Sequence, residues 1–313
     1  MVVDSRSQAV LASLSDNALF LTFVVDEGGE DVVRDLLPDL AGLTRSAGVR
    51  APEEKLSCVA GIGSALWDRL FDGPRPAGLH PLPVFAGATH TAPSTPGDLL
   101  LHIRAGRLHM CFELARFVVD RLRGAARVVD EVHGFRYFDQ RDLLGFVDGT
   151  ENPEGADRAA AVLVGEEDAA FRGGSYVVVQ KYLHDMAAWN ALAVEDQELV
   201  VGRTKLDDLE LPDAVKPRDS HVAVNVIEDA DGTERQILRD NMPFGTVGTD
   251  EFGTYFIGYA ATPAVTERML HRMFVGEPAG RHDRILDFST ALTGGLFFAP
   301  SQTMLDDPPV SRG

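Results

Sequence analysis

Cysteine is almost missing from this 313-residue chain: Cys58 and Cys111 are its only two. They form neither a CxxC pair nor the CxxCH through which a porphyrin is attached covalently, and both read as buried free thiols. Basic residues are short as well, 29 against 48 acidic, for a net charge of −19. That balance argues against nucleic acid or an anionic membrane surface as a partner and points instead to solubility. No apolar run is long enough to span a bilayer, and the opening MVVDSRSQAVLASLSDN has neither a basic region followed by an apolar core nor a twin arginine. A cytoplasmic location is the expectation. The nine histidines include no HExxH and no HxxxH; His109, Cys111 and Glu113 could be imagined around a metal, but their helical pattern favours core or surface placement. There is no GxGxxG, no GKS/T phosphate loop and no GxSxG nucleophile turn.

What is present is an ordinary globular composition, 45% apolar and 25% charged, in a chain longer than the usual single domain. Periodicity predicts a strand over 18–25, an amphipathic helix over 29–47 interrupted by Pro38, and a strand over 56–62. A strand over 99–105, a helix over 108–123 and a strand through ARVVDEVHGFRYF follow. That is the strand-helix-strand-strand-helix-strand order of a ferredoxin-like unit. The second half offers a strand over 175–183, a helix ending near Val201, strands ERQILRD and GTYFIGYA, a helix after Pro263, and LFFA. The same order returns without a sequence repeat, so the expected fold is α+β, a tandem of ferredoxin-like domains with antiparallel sheets. We place the boundary at 144/145, giving an N-terminal domain over 1–144 and a C-terminal domain over 145–313. Residues 150–174 read as a linker, and 74–97, with six prolines, as a long excursion.

Three segments carry the chemistry: GFVDGTENP at 145–153, DSHVAVNV around His221, and ILRDNMPFG around Arg239. Each is bland alone. Asp148 between glycines suits any turn, His221 lies in an alternating apolar run, and Arg239 could sit on a surface strand. Together they supply an iron-ligating histidine, an acid/base group to move a proton between peroxide oxygens, and a permanent cation for the departing oxygen.

With GRTK at 202–205 and LDFSTALTGGLFFAPS at 286–301, these segments make the chain similar to the dye-decolorizing peroxidases, most closely their B-type branch, over nearly its whole length. The resemblance implies a haem peroxidase that reduces hydrogen peroxide and oxidises dyes, phenols or other one-electron donors through a ferryl intermediate. A haem carrier or store, or a protein that removes iron from haem, is the alternative. It implies one noncovalent haem b in the second domain, with His221 as the proximal iron ligand and Asp148, Arg239 and Asn241 on the peroxide side. Asp283 matches the histidine's carboxylate partner, with Asp287 in reserve, one helical turn away if the segment is helical. Arg203 and Lys205 would meet the propionates, and Phe256, in TYFIGYA, would form part of the porphyrin wall. Glu151, Glu210 and Glu234 could be imagined as a Mn(II) site; the balance is against it. Trp67, Trp189, Tyr137, Tyr176, Tyr182, Tyr255 and Tyr259 are available as electron relays to bulky donors. A homo-oligomer is also implied. B-type members are often cargo of encapsulin shells, docked by an apolar peptide at the carboxyl end; MLDDPPVSRG shows no such peptide.

Overall fold

A computed structural model describes residues 6–308. The readings of the opening segment and of MLDDPPVSRG fall partly on residues outside that range. The first half contains β1 (Asn17–Val25), α1 (Glu30–Gly48), β2 (Ser57–Gly63), α2 (Ser64–Leu70), a hairpin of β3 (Phe85–Ala86) and β4 (Thr91–Ala92), β5 (Leu99–Ala105), α3 (Leu108–Arg121) and β6 (Ala126–Phe135). The second contains α4 (Gly155–Val162), β7 (Ser175–His184), α5 (Met186–Asn190), α6 (Val194–Val201), α7 (His221–Asn225), a hairpin of β8 (Ile227–Glu228) and β9 (Glu234–Arg235), β10 (Leu238–Arg239), β11 (Met242–Thr246), β12 (Glu251–Ala260), α8 (Pro263–Phe274), β13 (Ser289–Ala291) and β14 (Gly295–Ala299).

Each half lays its four strands in the ferredoxin-like order, fourth beside first, first beside third, third beside second. These are β6-β1-β5-β2 in one half, and β14-β7-β12 followed by β10 and β11 in the other. All pairings are antiparallel, and the two sheets fuse where Phe297 and Phe298 of β14 pair with Gly63 and Ile62 of β2. The resulting ten-stranded sheet curls back on itself: Met242 of β11 packs on Gly134 of β6, where a β-carbon would lie 2.4 Å from the methionine's own. Phe20 stacks on Tyr255 across the enclosed space at 4.1 Å. Strand alternation fixes what faces where. Phe20, Leu100, Val177, Val179 and Ile257 fill the barrel, while Leu19, Leu21, Phe23, Leu101 and Ile103 face outward against α1 and α3.

Four expectations need correction in detail. Residues 150–174 are not a bare linker, since they form α4 and a 3-10 segment over Glu166–Phe171. ERQILRD is no continuous strand: β9 and β10 are two residues each. His221 begins a short helix after Ser220 rather than lying in an alternating strand. Asp283 and Asp287 do not share a helical face; Asp283 is the N-cap of a one-turn 3-10 helix, Arg284–Asp287, and its side chain accepts from Ile285 N at 3.0 Å. The 74–97 excursion is tied to the second half by Thr95 N–H donating to Gly294 O (2.8 Å) and Gly78 N–H to the Tyr176 hydroxyl (2.9 Å).

Candidate active site

The GFVDGTENP loop turns through two glycines of positive φ, Gly145 (94°) and Gly149 (86°), a region costly for other residues. At Gly145 the Lys205 side chain fills the space a β-carbon would take, its Cε 2.5 Å away. Between these turns the Asp148 N–H donates to Gln140 O at 2.9 Å. The loop is then fastened to the arginine strand by Asn152, whose amide donates to Arg239 O and accepts from Arg239 N, both at 2.8 Å. Arg239 ends β10, and Asn241, two residues on and just before β11, lines the same cleft. Asp240, between them, pairs with buried Arg104 at 2.6 Å. Asn241 donates to Asp148 Oδ1 at 3.2 Å while its own oxygen accepts from Ile257 N.

On α7, His221 Nδ1 lies 2.7 Å from Oδ2 of Asp283, which is fully buried. Asn225, one turn on, donates to His221 O at 2.8 Å. With Nδ1 committed to the carboxylate, Nε2 is the nitrogen left to act as a ligand.

These groups line one cleft enclosing about 970 Å³, part of it open to solvent. Its walls are the junction (Asp142, Phe146, Asp148), β7 (Gln180, Tyr182, His184), β12 (Thr254, Phe256), α7 (His221, Asn225) and α8 (Met269, Met273). Burial raises the Asp148 pKa above the usual carboxylate value, against the pull of the Asn241 hydrogen bond and of the Arg239 and His221 charges. Burial lowers that of Arg239, with Asp148 opposing. At His221 burial disfavours the charged ring, but the Asp283 carboxylate outweighs it and the net direction is up. Sequence reasoning missed a second acid: burial, reinforced by the Asp148 charge, pushes Asp142 up to about 7, though the Phe146 amide donates to it at 3.0 Å. It also missed His184, held between Ser289 (2.7 Å) and Thr254 (2.9 Å) and pushed down to about 4 by burial. A buried acid, a fixed arginine and a carboxylate-bound histidine on one cleft suit proton transfer beside a ligated metal.

Comparison with known proteins agrees. The family model described as "Dyp-type peroxidase, N-terminal" matches residues 7–136, and "Dyp-type peroxidase, C-terminal" matches 139–304. A dye-decolorizing peroxidase of Rhodococcus erythropolis is 60% identical over 99% of this chain and 91% of its own. The chain belongs to the Dyp-type peroxidase family. Among solved structures, the encapsulated DyP-type peroxidase of Mycobacterium smegmatis superposes with a TM-score of 0.97 at 60% identity, covering 98% of this chain and 100% of that one. A DypB variant of Rhodococcus jostii RHA1 in complex with heme gives 0.94 at 56% identity, covering 97% and 99%. The chain is a peroxidase enzyme, with the ferredoxin-like fold expected of it.

Within this Dyp-type peroxidase, the expected site residues are distributed unevenly. Asp148, His221, Arg239, Asn241 and Phe256 line the cleft, and Asp283 stands behind His221. Arg203 lines an adjoining recess of about 720 Å³ with Glu151, Glu234 and Arg235, but its guanidinium is engaged by Glu151 (2.7 Å) and Asp208 (2.8 Å). Lys205 reaches neither space; it donates to Gln197 at 2.6 Å, over the faces of Phe146 and Trp189. Glu210 pairs with Lys216 instead of joining Glu151 and Glu234. Six of the seven relay candidates are buried, Trp67, Trp189 and Tyr259 completely; Tyr137 alone is partly exposed. Both cysteines are free, and burial pushes each thiol up to about 12. Among the described residues no helix is long and apolar enough to cross a membrane.

Proposed function

We propose that the cleft binds one noncovalent haem b, ligated by His221 Nε2, and that Asp148 and Arg239 activate hydrogen peroxide there. The carrying observation is the convergence on one cleft of the Asp283-bound histidine and the Asn241–Asp148–Arg239 group. The walls fit a flat apolar cofactor with a polar edge: Phe256, Met269, Leu270 and Met273 offer apolar surface. Gln180 Nε2 and Thr266 Oγ1, both buried and on the cleft wall, have no protein partner. Buried polar groups are normally satisfied, so acceptors or donors on a ligand would complete both.

Bound haem supplies the iron that takes two oxidising equivalents from peroxide and returns them to donors one at a time. Asp148 takes the proton from the near oxygen of peroxide and delivers it to the departing one, a role its raised pKa suits. Arg239, charged throughout, stabilises the negative charge growing on that oxygen. Asn241 fixes the Asp148 carboxylate, and Asn152 holds the Arg239 backbone. Asp283 sets the tautomer and ring orientation of His221. Arg203, at the recess, is the propionate partner this arrangement supports; Lys205 is not.

The haem-binding unit is the C-terminal domain, 145–313, with the 1–144 domain closing the barrel against it. Hydrogen peroxide and small aromatic or dye-like donors are the proposed substrates, in a cytoplasmic homo-oligomer. Encapsulation, a property of the Mycobacterium smegmatis protein, is a further partner to examine for this chain.

Mixing haem-loaded protein with stoichiometric peroxide tests the reading. Rapid change of the haem spectrum is expected in the unaltered protein, slowed by roughly 100- to 10,000-fold in Asp148→Asn or Arg239→Leu. Haem that binds through His221 yet shows no reaction with peroxide would leave a haem carrier instead.

A further inference from the structure

Outside the cleft, the described residues bring together one group of three side chains with metal-ligand separations: His90, His282 and Asp287. Asp287 was the reserve partner for the proximal histidine, and it takes no part there. Its Oδ1 lies 3.1 Å from His90 Nε2 and 2.9 Å from His282 Nε2. The two imidazoles meet edge to face with ring centroids 4.7 Å apart, and a ligand atom of each of the three residues lies within 4.8 Å of the others. Two imidazole nitrogens and a carboxylate oxygen are the donor set of a borderline divalent cation. An ion about 2.0–2.2 Å from each donor would set neighbouring donors roughly 3–3.5 Å apart, close to the two separations from Asp287 Oδ1 already present.

The backbones bearing these groups are fixed. His90 sits in the turn between β3 and β4, its carbonyl accepting Gly87 N–H at 2.9 Å. That turn is pressed on the end of α8, where a β-carbon on Gly87 would lie 1.8 Å from Phe274 O. His282 precedes Asp283, the cap of the one-turn helix, and Asp287 is that helix's last residue; Asp283 N–H donates to Met273 O at 2.8 Å. The histidine side chains are 21% and 24% exposed and the aspartate 45%, so an ion can enter from solvent and keep water in its remaining positions.

We infer that His90, His282 and Asp287 form a binding site for a divalent transition-metal cation of the Zn(II) class. It is separate from the cleft and clamps the 74–97 excursion to the segment carrying Asp283. The inference does not depend on haem.

Zinc titration of the full-length chain, stripped of adventitious metal with a chelator, tests it by calorimetry in both the haem-free and the haem-loaded protein. One saturable site per chain is expected, weakened about 100-fold or more in His90→Ala and in Asp287→Ala. The site should be unchanged in His133→Ala, where a surface histidine lies beside a single carboxylate, Glu131, at 2.7 Å. Unfolding midpoints of the chelated variants, expected to match the unaltered chain, show that each folds; zinc should raise the midpoint of the unaltered chain alone. No saturable site, or undiminished zinc affinity in both variants, overturns the inference.

Discussion

The two ferredoxin-like halves share a strand order and differ in what lies between sheet and helices. On the outward face of its first strand the N-terminal half presents Leu19, Leu21 and Phe23; the C-terminal half presents Val178, Gln180, Tyr182 and His184 in the corresponding place. On the third strand Leu101 and Ile103 contrast with Thr254 and Phe256. The covering helices differ too. Four residues, 26–29, lead from β1 into the nineteen-residue α1, which packs Val33, Leu36, Leu37 and Leu40 on the sheet. Between β7 and β10 the chain takes residues 185–237 and three short helices, the last of them α7 with His221. A long crossover helix in one half closes the core; its replacement by short pieces in the other leaves a cleft whose walls carry titratable groups. Stability and chemistry are thus divided between two copies of one topology.

The sharpest test of that division compares large-to-small substitutions. Leu101→Ala removes a fully buried side chain from the closed half and should cost about 2–5 kcal/mol of unfolding free energy. Phe256→Ala, at the wall of an existing cleft, should cost the haem-free protein less, about 1–2 kcal/mol, because part of its surface already faces open space. Denaturant midpoints of both variants measure the difference; equal losses would mean that the C-terminal half is closed in solution as well.

Asp142, on the cleft wall at the junction of the two halves, sharpens the contrast from the electrostatic side. Burial first, then the Asp148 charge, pushes Asp142 up to about 7. A carboxyl raised in the folded state adds stability that is fully present below its unfolded pKa, near 4, and lost as pH rises through 7. The full shift corresponds to roughly 4 kcal/mol; water reaching the cleft screens it, so about 1–2 kcal/mol is expected. Asp142→Asn should therefore match the unaltered haem-free chain near pH 4 and exceed it by that amount above pH 8. A stability gap independent of pH would remove Asp142 as the titrating group.

Much of this was legible in sequence because local patterns carry it. Apolar runs of strand length announced β1, β5 and β7, and the glycines of GFVDGTENP announced the turn that presents Asp148. The fused sheet was not legible, because β14 and β2 meet through only two residue pairs far apart in the chain. Asp142, in a polar stretch that reads as any surface turn, gave no signal of its burial. Asn152 lay inside the quoted motif, yet its hold on Arg239 depends on a contact across 87 positions. Lys205 stands two residues from Arg203 in sequence, yet nothing local signals that it folds over the glycine the turn requires. His90 and Asp287 are 197 positions apart, and no local spacing could pair them.

The smallest effect, and the most direct reading of the difference between the halves, concerns Gln180. Its side chain is wholly buried and its oxygen accepts from the Tyr182 hydroxyl, while Nε2 lacks any protein acceptor. An unsatisfied buried donor costs about 1–3 kcal/mol when nothing, water included, meets it. Leucine there would restore the apolar character that Leu19 and Leu21 have in the other half. Gln180→Leu combined with Tyr182→Phe, which removes the hydroxyl that would otherwise lose its acceptor, should thus stabilise the haem-free chain, by about 1 kcal/mol once partial hydration of the cleft is allowed for. In the loaded protein the sign reverses: a ligand acceptor that Nε2 satisfies loses its partner, and haem should dissociate about 10-fold faster, as loss of one hydrogen bond to a charged group implies. Denaturation of the haem-free protein and haem transfer to an excess of apomyoglobin would measure the two effects. A variant less stable without haem would show that water already satisfies Gln180, and that the cleft's polarity is no burden on the fold.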